Sequence, residues 1–211
     1  MASLYDLKPR FQARLRPLAQ NLAGRGITPN QVTLAAVLLS VLVGGVVALA
    51  DGGSGTLLLL PLALFARMAL NALDGMLARE HGMKSDLGAA LNELGDVVSD
   101  AALYLPIALV PGAPASWIVL FVVASALTEV AGLIGPMLGR ARRYDGPMGK
   151  SDRALVVGAL ALLLGLGVPN GFWLAIAFAI AFALAMVTVM RRVRAIVDNT
   201  DLSATDPHDG F

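Results

Sequence analysis

The sequence contains no cysteine and only two histidines, His81 and His208. Disulfide bridges, thiolate metal sites and cysteine nucleophiles are therefore excluded, and a metal cage built from several histidines is not expected. Neither sign of charge dominates, because 16 lysines and arginines stand against 15 aspartates and glutamates, a formal net charge of +1. Since a nucleic-acid-binding surface needs an excess of positive charge, we expect no nucleic acid among the partners.

Charged residues of either sign are also scarce. They make up 15% of the 211 residues, whereas soluble proteins contain about 25%. Long stretches carry no charge at all, namely 26–50, 101–128 and 154–190. A helix of about 20 apolar residues crosses a bilayer, so each stretch can hold at least one membrane span. The last stretch is long enough for two spans, and turn-forming residues at 167–171 divide it.

Two further apolar stretches, 56–79 and 87–110, are interrupted by polar residues. Together these patterns predict an all-α, polytopic membrane protein with six transmembrane helices, near residues 31–50, 56–79, 87–110, 115–138, 153–167 and 171–190.

Lysines and arginines are confined to alternate connections between these spans. The connections at 51–55, 111–114 and 167–171 contain none. Positive charges in short loops favour the cytoplasmic side of a membrane. We therefore expect both termini and the basic loops to be cytoplasmic, in a multi-pass protein of the cell inner membrane.

The two ends of the chain differ from the membrane region in pattern. In residues 1–24, leucines and a phenylalanine recur every three or four residues, which predicts an amphipathic helix lying on the cytoplasmic leaflet. Pro9 and Pro17 are expected to bend or restart that helix. Residues 25–196 form the predicted transmembrane domain, and the polar, acidic residues 197–211 a disordered cytoplasmic tail.

Polar residues within the membrane region gather on the second and third predicted spans. They recur every three or four residues, so each set shares one helix face: Arg67, Asn71, Asp74, Gly75 and Ala78, then Gly88, Asn92, Asp96 and Asp100. Ionised groups cost free energy in a bilayer, so such a cluster indicates a site. Oxygen ligands without histidine or cysteine suit a hard cation, Mg²⁺ or Mn²⁺. Alternatively, Arg67 pairs with Asp74, Asp96 or Asp100 in a structural ion network.

The residues from Asn71 to Asp96 read Nx2DGx2ARx8Gx3Nx3D. This pattern resembles the Dx2DGx2ARx8Gx3Dx3D signature of the CDP-alcohol phosphotransferase family, with every spacing kept. The resemblance extends to the TPNxxT stretch of Thr28 to Thr33 and to the GPMGKSDR segment of Gly146 to Arg153. It therefore spans the whole predicted membrane domain and is phosphatidylglycerophosphate-synthase-like in character.

The resemblance implies a reaction in which a CDP-linked donor gives its phosphoryl-alcohol part to an acceptor hydroxyl, with release of CMP at the cytoplasmic face. It implies Asn71, Asp74, Asn92 and Asp96 as ligands of Mg²⁺ or Mn²⁺, with Asp96 also the general base, and Asp100 is a further candidate ligand. Contacts with the CDP part would come from Gly75, Ala78, Arg79, Asn30 and Thr33. Arg79 has the alternative interpretation of an interfacial anchor.

The sequence departs from the family signature at Asn71 and Asn92, which replace two aspartates. Three hypotheses follow: an enzyme with one metal ion, a variant in which Asp100 or Glu93 supplies a missing ligand, and a member that has lost catalysis. Asp100 could equally be a salt-bridge partner of Arg67. Glu93 points off the polar stripe, which favours a contact with another helix, and Glu129 is expected to have an interhelical partner.

The acceptor is expected to carry negative charge because basic residues flank the predicted site. Lys150, Arg153 and Arg143 are the candidates to bind an anion, although positive-inside topology alone would also place them there. We therefore expect phosphatidyl transfer from CDP-diacylglycerol to a glycerol 3-phosphate-like alcohol in phospholipid biosynthesis. Inositol, inositol phosphate or serine are alternative acceptors, and a CDP-lipid-binding partner protein is the alternative without catalysis. The resemblance also implies a homodimer.

Overall fold

The structure is a computed structural model that describes residues 4–198, with side chains described from residue 11 onward. Apart from Val197 and Asp198, the predicted tail lies outside the described residues. The described range contains helices and connecting turns, and no β-strand. In chain order the helices are α1 (Leu4–Gly24), α2 (Pro29–Leu49), α3 (Ser54–Leu57), α4 (Leu59–Glu80), α5 (Asp86–Tyr104), a 3₁₀ helix (Leu105–Leu109), α6 (Ala115–Met137), α7 (Lys150–Gly165) and α8 (Phe172–Val197).

Four segments are long and apolar enough to cross a membrane: Pro29–Leu49, Ser54–Glu80, Ala115–Met137 and Phe172–Val197. The other two predicted spans, α5 and α7, do not meet this measure within the described residues. The 19 residues of α5 include four carboxylates, and α7 has only 16 residues. The all-helical prediction is confirmed, whereas four of the six predicted spans qualify on length and apolar composition.

Local sequence signals set where α2 and α5 begin. The Thr28 hydroxyl accepts a hydrogen bond from the Gln31 amide, and the Gln31 side chain accepts one from the Thr28 amide. Pro29 follows in the first turn of α2, where its missing N–H costs nothing. The Ser85 hydroxyl accepts from the Gly88 amide and begins α5 in a similar way. Both starting points lie beside the polar stripe.

The first helix lies against α4 and runs without interruption through Pro9 and Pro17. The expected restart of the helix at these prolines was therefore wrong. Phe11 packs edge-on against Phe65 with 6.1 Å between ring centroids, and Arg16 pairs with Glu80 at 3.0 Å. These contacts attach α1 along α4 towards the end of the bundle that carries the polar stripe.

The main core of the bundle contains buried side chains from every helix from α2 to α8. Three fully buried rings, of Tyr104, Phe121 and Phe178, contact each other in turn within it, with 5.9 and 5.8 Å between successive ring centroids and the second pair edge-on. At one end of the bundle the lysine-free connections meet, where the Asn170 amide donates to the Pro111 carbonyl at 2.5 Å. The basic connections and the polar stripe occupy the opposite end, as the alternation of charged loops requires.

Candidate active site

The polar faces of α4 and α5 meet through Arg67. This side chain is 3% exposed and donates to the carboxylates of Asp100 at 2.5 Å and Asp96 at 3.2 Å. Asn71, one turn further along α4, donates to Asp96 at 3.4 Å. The ion-network interpretation of Arg67 is therefore confirmed for Asp96 and Asp100, and Asp100 has the salt-bridge role that was one of its two alternatives.

Helix α7 adds two cations to the same cluster. The ammonium of Lys150, in the first residue of the helix, lies 2.5 Å from each oxygen of Asp96. Arg153, one turn later, is fully buried and donates to Asp100 at 2.9 Å and Glu129 at 2.6 Å. The guanidinium of Arg153 therefore binds the protein's own carboxylates, so the structure does not support its predicted contact with an acceptor anion.

The network extends through the connection between α6 and α7. Arg142 pairs with Glu93 and also contacts Glu129 at 3.0 Å. Burial lowers the pKa of the Arg142 guanidinium. Glu129 thus has the interhelical partner that was expected, Arg153. Glu93 contacts this connection, so the interhelical contact favoured for it was wrong.

Salt bridges join eight side chains into one group, which we call the ion network. Its members are four carboxylates and four cations, so its formal charge is zero: Glu93, Asp96, Asp100 and Glu129 with Arg67, Arg142, Lys150 and Arg153. Most of its charged groups are buried, and buried charges are tolerated when they are paired and hydrogen-bonded. The network therefore fixes α4, α5, α6 and α7 relative to each other.

Asp74 lies beside the ion network but outside it. Its carboxylate accepts a hydrogen bond from the Thr33 hydroxyl of α2 at 2.8 Å, and among the described residues it forms no salt bridge. Asn71 uses its amide nitrogen toward Asp96, which leaves its oxygen available as an acceptor. Asn92 lines the adjoining pocket with Asp96. Carboxylate and amide oxygens are the ligand types that suit a hard cation.

These residues fit one hard cation better than two. Within the described residues, no three carboxylates or histidines are grouped as a metal cage would require. Both oxygens of Asp96 already face Lys150, and Asp100 faces Arg67 and Arg153. Asp74 is therefore the carboxylate that could bind a cation without first losing a protein cation.

Of the predicted nucleotide-contacting residues, Thr33 contacts Asp74 directly and Gly75 follows Asp74 in the chain. The Arg79 guanidinium folds back over Gly75, where a Cβ atom would lie 2.9 Å from it. Asn30 lies against Gly88 of α5, and a Cβ atom at Gly88 would approach the Asn30 amide oxygen to 2.7 Å. Ala78 is half-buried on the same helix as Gly75. The two glycines therefore leave room for the side chains of Arg79 and Asn30.

A pocket of about 290 Å³ opens beside Asp96. It is lined by polar and charged side chains from four parts of the chain: Asn92, Asp96, Glu129, Arg142, Tyr144, Lys150, Ser151, Asp152 and Arg192, with the backbone of Gly149. Arg143 is not part of this lining, and its guanidinium contacts Asp145 at 2.9 Å. Of the three predicted anion-binding residues, only Lys150 lines the pocket.

Sequence reasoning missed Arg192 and Tyr144. Arg192 is 3% exposed and donates to the backbone carbonyls of Thr128 and Asp145, which seats the guanidinium at the pocket. From the sequence, Arg192 is only one of the positive charges that predict which side of the membrane is cytoplasmic. A signal existed, because the buried residues of α8 recur every three or four positions and Arg192 continues that stripe.

Comparison with known proteins places this chain in a family. The family model for CDP-alcohol phosphatidyltransferase matches residues 26–143. The inner membrane protein YnbA of Escherichia coli is 45% identical over 195 residues, which cover 92% of this chain and 96% of the relative. The chain belongs to the CDP-alcohol phosphatidyltransferase family. Together with four apolar helices, this relative supports a multi-pass protein of an inner membrane.

Two less similar relatives are named as synthases of inositol phosphate lipids. The archaetidylinositol phosphate synthase of Pyrococcus horikoshii is 34% identical over 118 residues, 56% of this chain and 59% of the relative. The phosphatidylinositol phosphate synthase of Corynebacterium glutamicum is 28% identical over 208 residues, 92% of this chain and 89% of the relative. The crystal structure of Mycobacterium tuberculosis phosphatidylinositol phosphate synthase with CDP-DAG bound has the same fold, with a TM-score of 0.73 at 21% identity over 90% of this chain and 96% of that one.

Proposed function

We propose that this protein transfers the phosphatidyl group of CDP-diacylglycerol to a phosphorylated small alcohol and releases CMP. The observation that carries the proposal is the position of Asp96. It lies between Asp74, with the residues predicted to contact the nucleotide, and the pocket that contains Lys150 and Arg142. If the CDP-linked donor binds on the Asp74 side and the acceptor alcohol binds in the pocket, the acceptor hydroxyl would lie near the Asp96 carboxylate.

The donor side is built by α2, α4 and α5. Thr33 orients the Asp74 carboxylate, and Arg79 lies over Gly75, where its positive charge can meet a pyrophosphate. One hard cation held by Asp74 with Asn71 and Asn92, and by Asp96 if Lys150 yields an oxygen, would neutralise and orient the pyrophosphate. Mn²⁺ is a plausible cation by comparison, because another structure of the Mycobacterium tuberculosis synthase is a complex with manganese and citrate.

The acceptor side is the pocket beside Asp96. Lys150 and Arg142 contribute positive charge there, and Ser151 and Tyr144 contribute hydroxyl groups suited to a polyol. The names of the relatives favour inositol phosphate as the acceptor. Glycerol 3-phosphate, our preference from the sequence, offers the same phosphate and remains the second acceptor to test, followed by inositol and serine.

Asp96 is the proposed general base. Its carboxylate would take the proton of the acceptor hydroxyl as the hydroxyl oxygen bonds to the phosphatidyl phosphorus, and the bond from that phosphorus to CMP would break. Arg67, Asn71 and Lys150 donate to Asp96 in the structure and keep it oriented as an acceptor. The hydroxyl would replace one contact of the Lys150 ammonium, which is the most exposed of these donors.

The proposal includes a topology. Residues 1–24 would lie on the cytoplasmic leaflet, residues 25–196 would form the catalytic domain with α5 and α7 as the third and fifth of six spans, and 197–211 would be a cytoplasmic tail. The carboxylates that exclude α5 from the apolar spans belong to the ion network or lie in the first turn of the helix, so they face protein or the helix end. Both termini and the site would then be cytoplasmic. A homodimer is proposed on family resemblance.

The test is CMP release by the purified protein in liposomes with CDP-diacylglycerol, Mg²⁺ or Mn²⁺, and each acceptor in turn. We expect metal-dependent release with a phosphorylated acceptor. Asp96→Asn should lower that rate by at least about 100-fold, the contribution of a positioned base. Asp86→Asn, an exposed carboxylate at the start of α5, is the matched control and should stay near the wild-type rate. An active Asp96→Asn protein would remove Asp96 from the mechanism.

A second candidate function is binding of a CDP-lipid without catalysis. The observation in its favour is that protein cations already contact both oxygens of Asp96, while two family aspartates are asparagines. CDP-diacylglycerol binding by a protein that releases no CMP with any acceptor would support this candidate and contradict the first.

A further inference from the structure

The contact between Lys150 and Asp96 joins a partly exposed ammonium to both oxygens of a largely buried carboxylate. The ammonium lies 2.5 Å from both carboxylate oxygens, and the side chains of Lys150 and Asp96 are 32% and 8% exposed. A chelating contact on both oxygens uses the positions through which a carboxylate would bind a metal ion. Lys150 begins α7, and α7 is fixed in place one turn later by Arg153.

The charges around this contact are already balanced. The ion network contains four carboxylates and four cations, and Asp74 adds one negative charge beside it. Arg192 and Asp152, which also line the pocket, contribute one charge of each sign and leave the sum unchanged. One divalent cation at Asp74 would bring the sum to one positive charge, and a second would bring it to three before any donor pyrophosphate binds. Aspartates at positions 71 and 92 would have offset two of those charges, but this chain has asparagines there.

We infer that Lys150 is a built-in counter-cation that replaces a second divalent metal ion at Asp96, so that the chain binds one divalent cation, at Asp74. The inference rests on the proposed function for the kind of ligand, a divalent cation. It goes further by assigning Asp96 to a lysine and by predicting the number of metal ions. Lys150 is on this view a positioning residue for Asp96, in addition to lining the acceptor pocket.

The experiment measures Mn²⁺ binding to the purified full-length protein in detergent, without nucleotide, from the electron paramagnetic resonance signal of free Mn²⁺. The wild-type protein is expected to bind one Mn²⁺ per chain. Lys150→Gln should bind a second Mn²⁺, with an affinity for that ion at least about tenfold above the wild-type value because one neighbouring positive charge is gone. Lys150→Arg retains the charge and should bind one.

Arg191→Gln is the matched control, since it removes one exposed positive charge from the end of the bundle that carries the site. It should bind one Mn²⁺ with the wild-type affinity. A wild-type protein that binds two ions would overturn the inference, and so would a Lys150→Gln protein that binds no more and no tighter than wild type.

A second pair of variants tests the inference if Lys150→Gln does not fold. Asp74→Asn should abolish Mn²⁺ binding, whereas the double variant Asp96→Asn with Lys150→Gln, which removes one charge of each sign, should change the affinity at Asp74 by less than about threefold. Loss of the Mn²⁺ site in this double variant would show that Asp96 is a ligand in the wild-type protein and would contradict the inference. These readouts do not depend on CMP release, so the inference and the proposed function can fail separately.

Discussion

Replacing Arg153 by methionine should strongly destabilise the protein, because this side chain is the centre of the ion network. Its guanidinium donates to Asp100 at 3.1 and 2.9 Å, to Glu129 at 2.6 Å and to the Thr128 hydroxyl at 2.7 Å. Methionine fills most of the same length with an apolar chain. The substitution therefore removes the charge and its hydrogen bonds while leaving a small cavity.

The loss of stability can be estimated from the ion pairs that remain in the Arg153→Met protein. Asp100 keeps Arg67 and Glu129 keeps Arg142, but the network loses one cation and retains four carboxylates. Removing one partner of a buried pair costs about 3–5 kcal/mol, because a charge is left without compensation. For a domain of this size, each kcal/mol lowers the melting temperature by about 2–4 °C, so we expect a decrease of about 6–20 °C.

Thermal unfolding in detergent, followed by the fluorescence of Trp117 and Trp173, measures this decrease. Thiol-reactive dyes are unsuitable because the chain has no cysteine. Arg191→Met is the matched control, since Arg191 is exposed on the same end of the bundle, and it should shift the melting temperature by less than about 2 °C.

A double-mutant cycle separates the ion pair from other effects of the substitution. Asp100→Asn combined with Arg153→Met should destabilise less than the sum of the single changes, because the second change removes the charge that the first one left unpaired. An Arg153→Met protein that melts within about 2 °C of wild type would refute the reasoning, since the network would then contribute nothing measurable.

Two further predictions concern packing and the donor side. Gly44→Ala should destabilise the protein by about 1–3 kcal/mol, since a Cβ atom would lie 2.0 Å from the Ala102 carbonyl oxygen. Gly45→Ala is the control: a Cβ atom there meets nothing within 4 Å, so the variant should be neutral in the same melting assay. Thr33→Val should weaken Mn²⁺ binding while Thr33→Ser preserves it, because only valine lacks the hydroxyl that orients Asp74. Equal Mn²⁺ affinities in the two variants would contradict that role.

Much of the fold could be predicted because helix length and charge placement are local signals. The predicted spans all begin within three residues of a helix start, but α5 ends six residues before its predicted span and α8 runs seven residues beyond its own. The lysine-free connections meet at one end of the bundle. The short helix α3 was not predicted, because apolar patterning does not separate it from α4. The continuous path of α1 through two prolines depends on its packing against α4, which is a tertiary contact.

The candidate site could be predicted only as far as its motif extends. Spacing brought Asp74, Asp96 and Gly75 onto facing helices, and family resemblance added Asn30 and Thr33. Motif spacing does not reveal which partner a charge chooses. Arg153 was interpreted as an anion-binding residue, yet its position in α7 buries it against Asp100 and Glu129. Such roles depend on which side chains meet across helices that are far apart in the sequence. A single sequence does not show these contacts.

The two asparagines and the cations of the site are best understood together. Replacing an aspartate by asparagine alone would leave a metal ion with too little negative charge, and placing a lysine on Asp96 alone would compete with a metal ion for the same oxygens. In combination they leave a paired network of zero formal charge and one free carboxylate, Asp74. A site that is already neutral needs no metal ions to remain folded, so its stability should not depend on them. The same charges that complicate metal binding thus make the carboxylates tolerable within an apolar bundle.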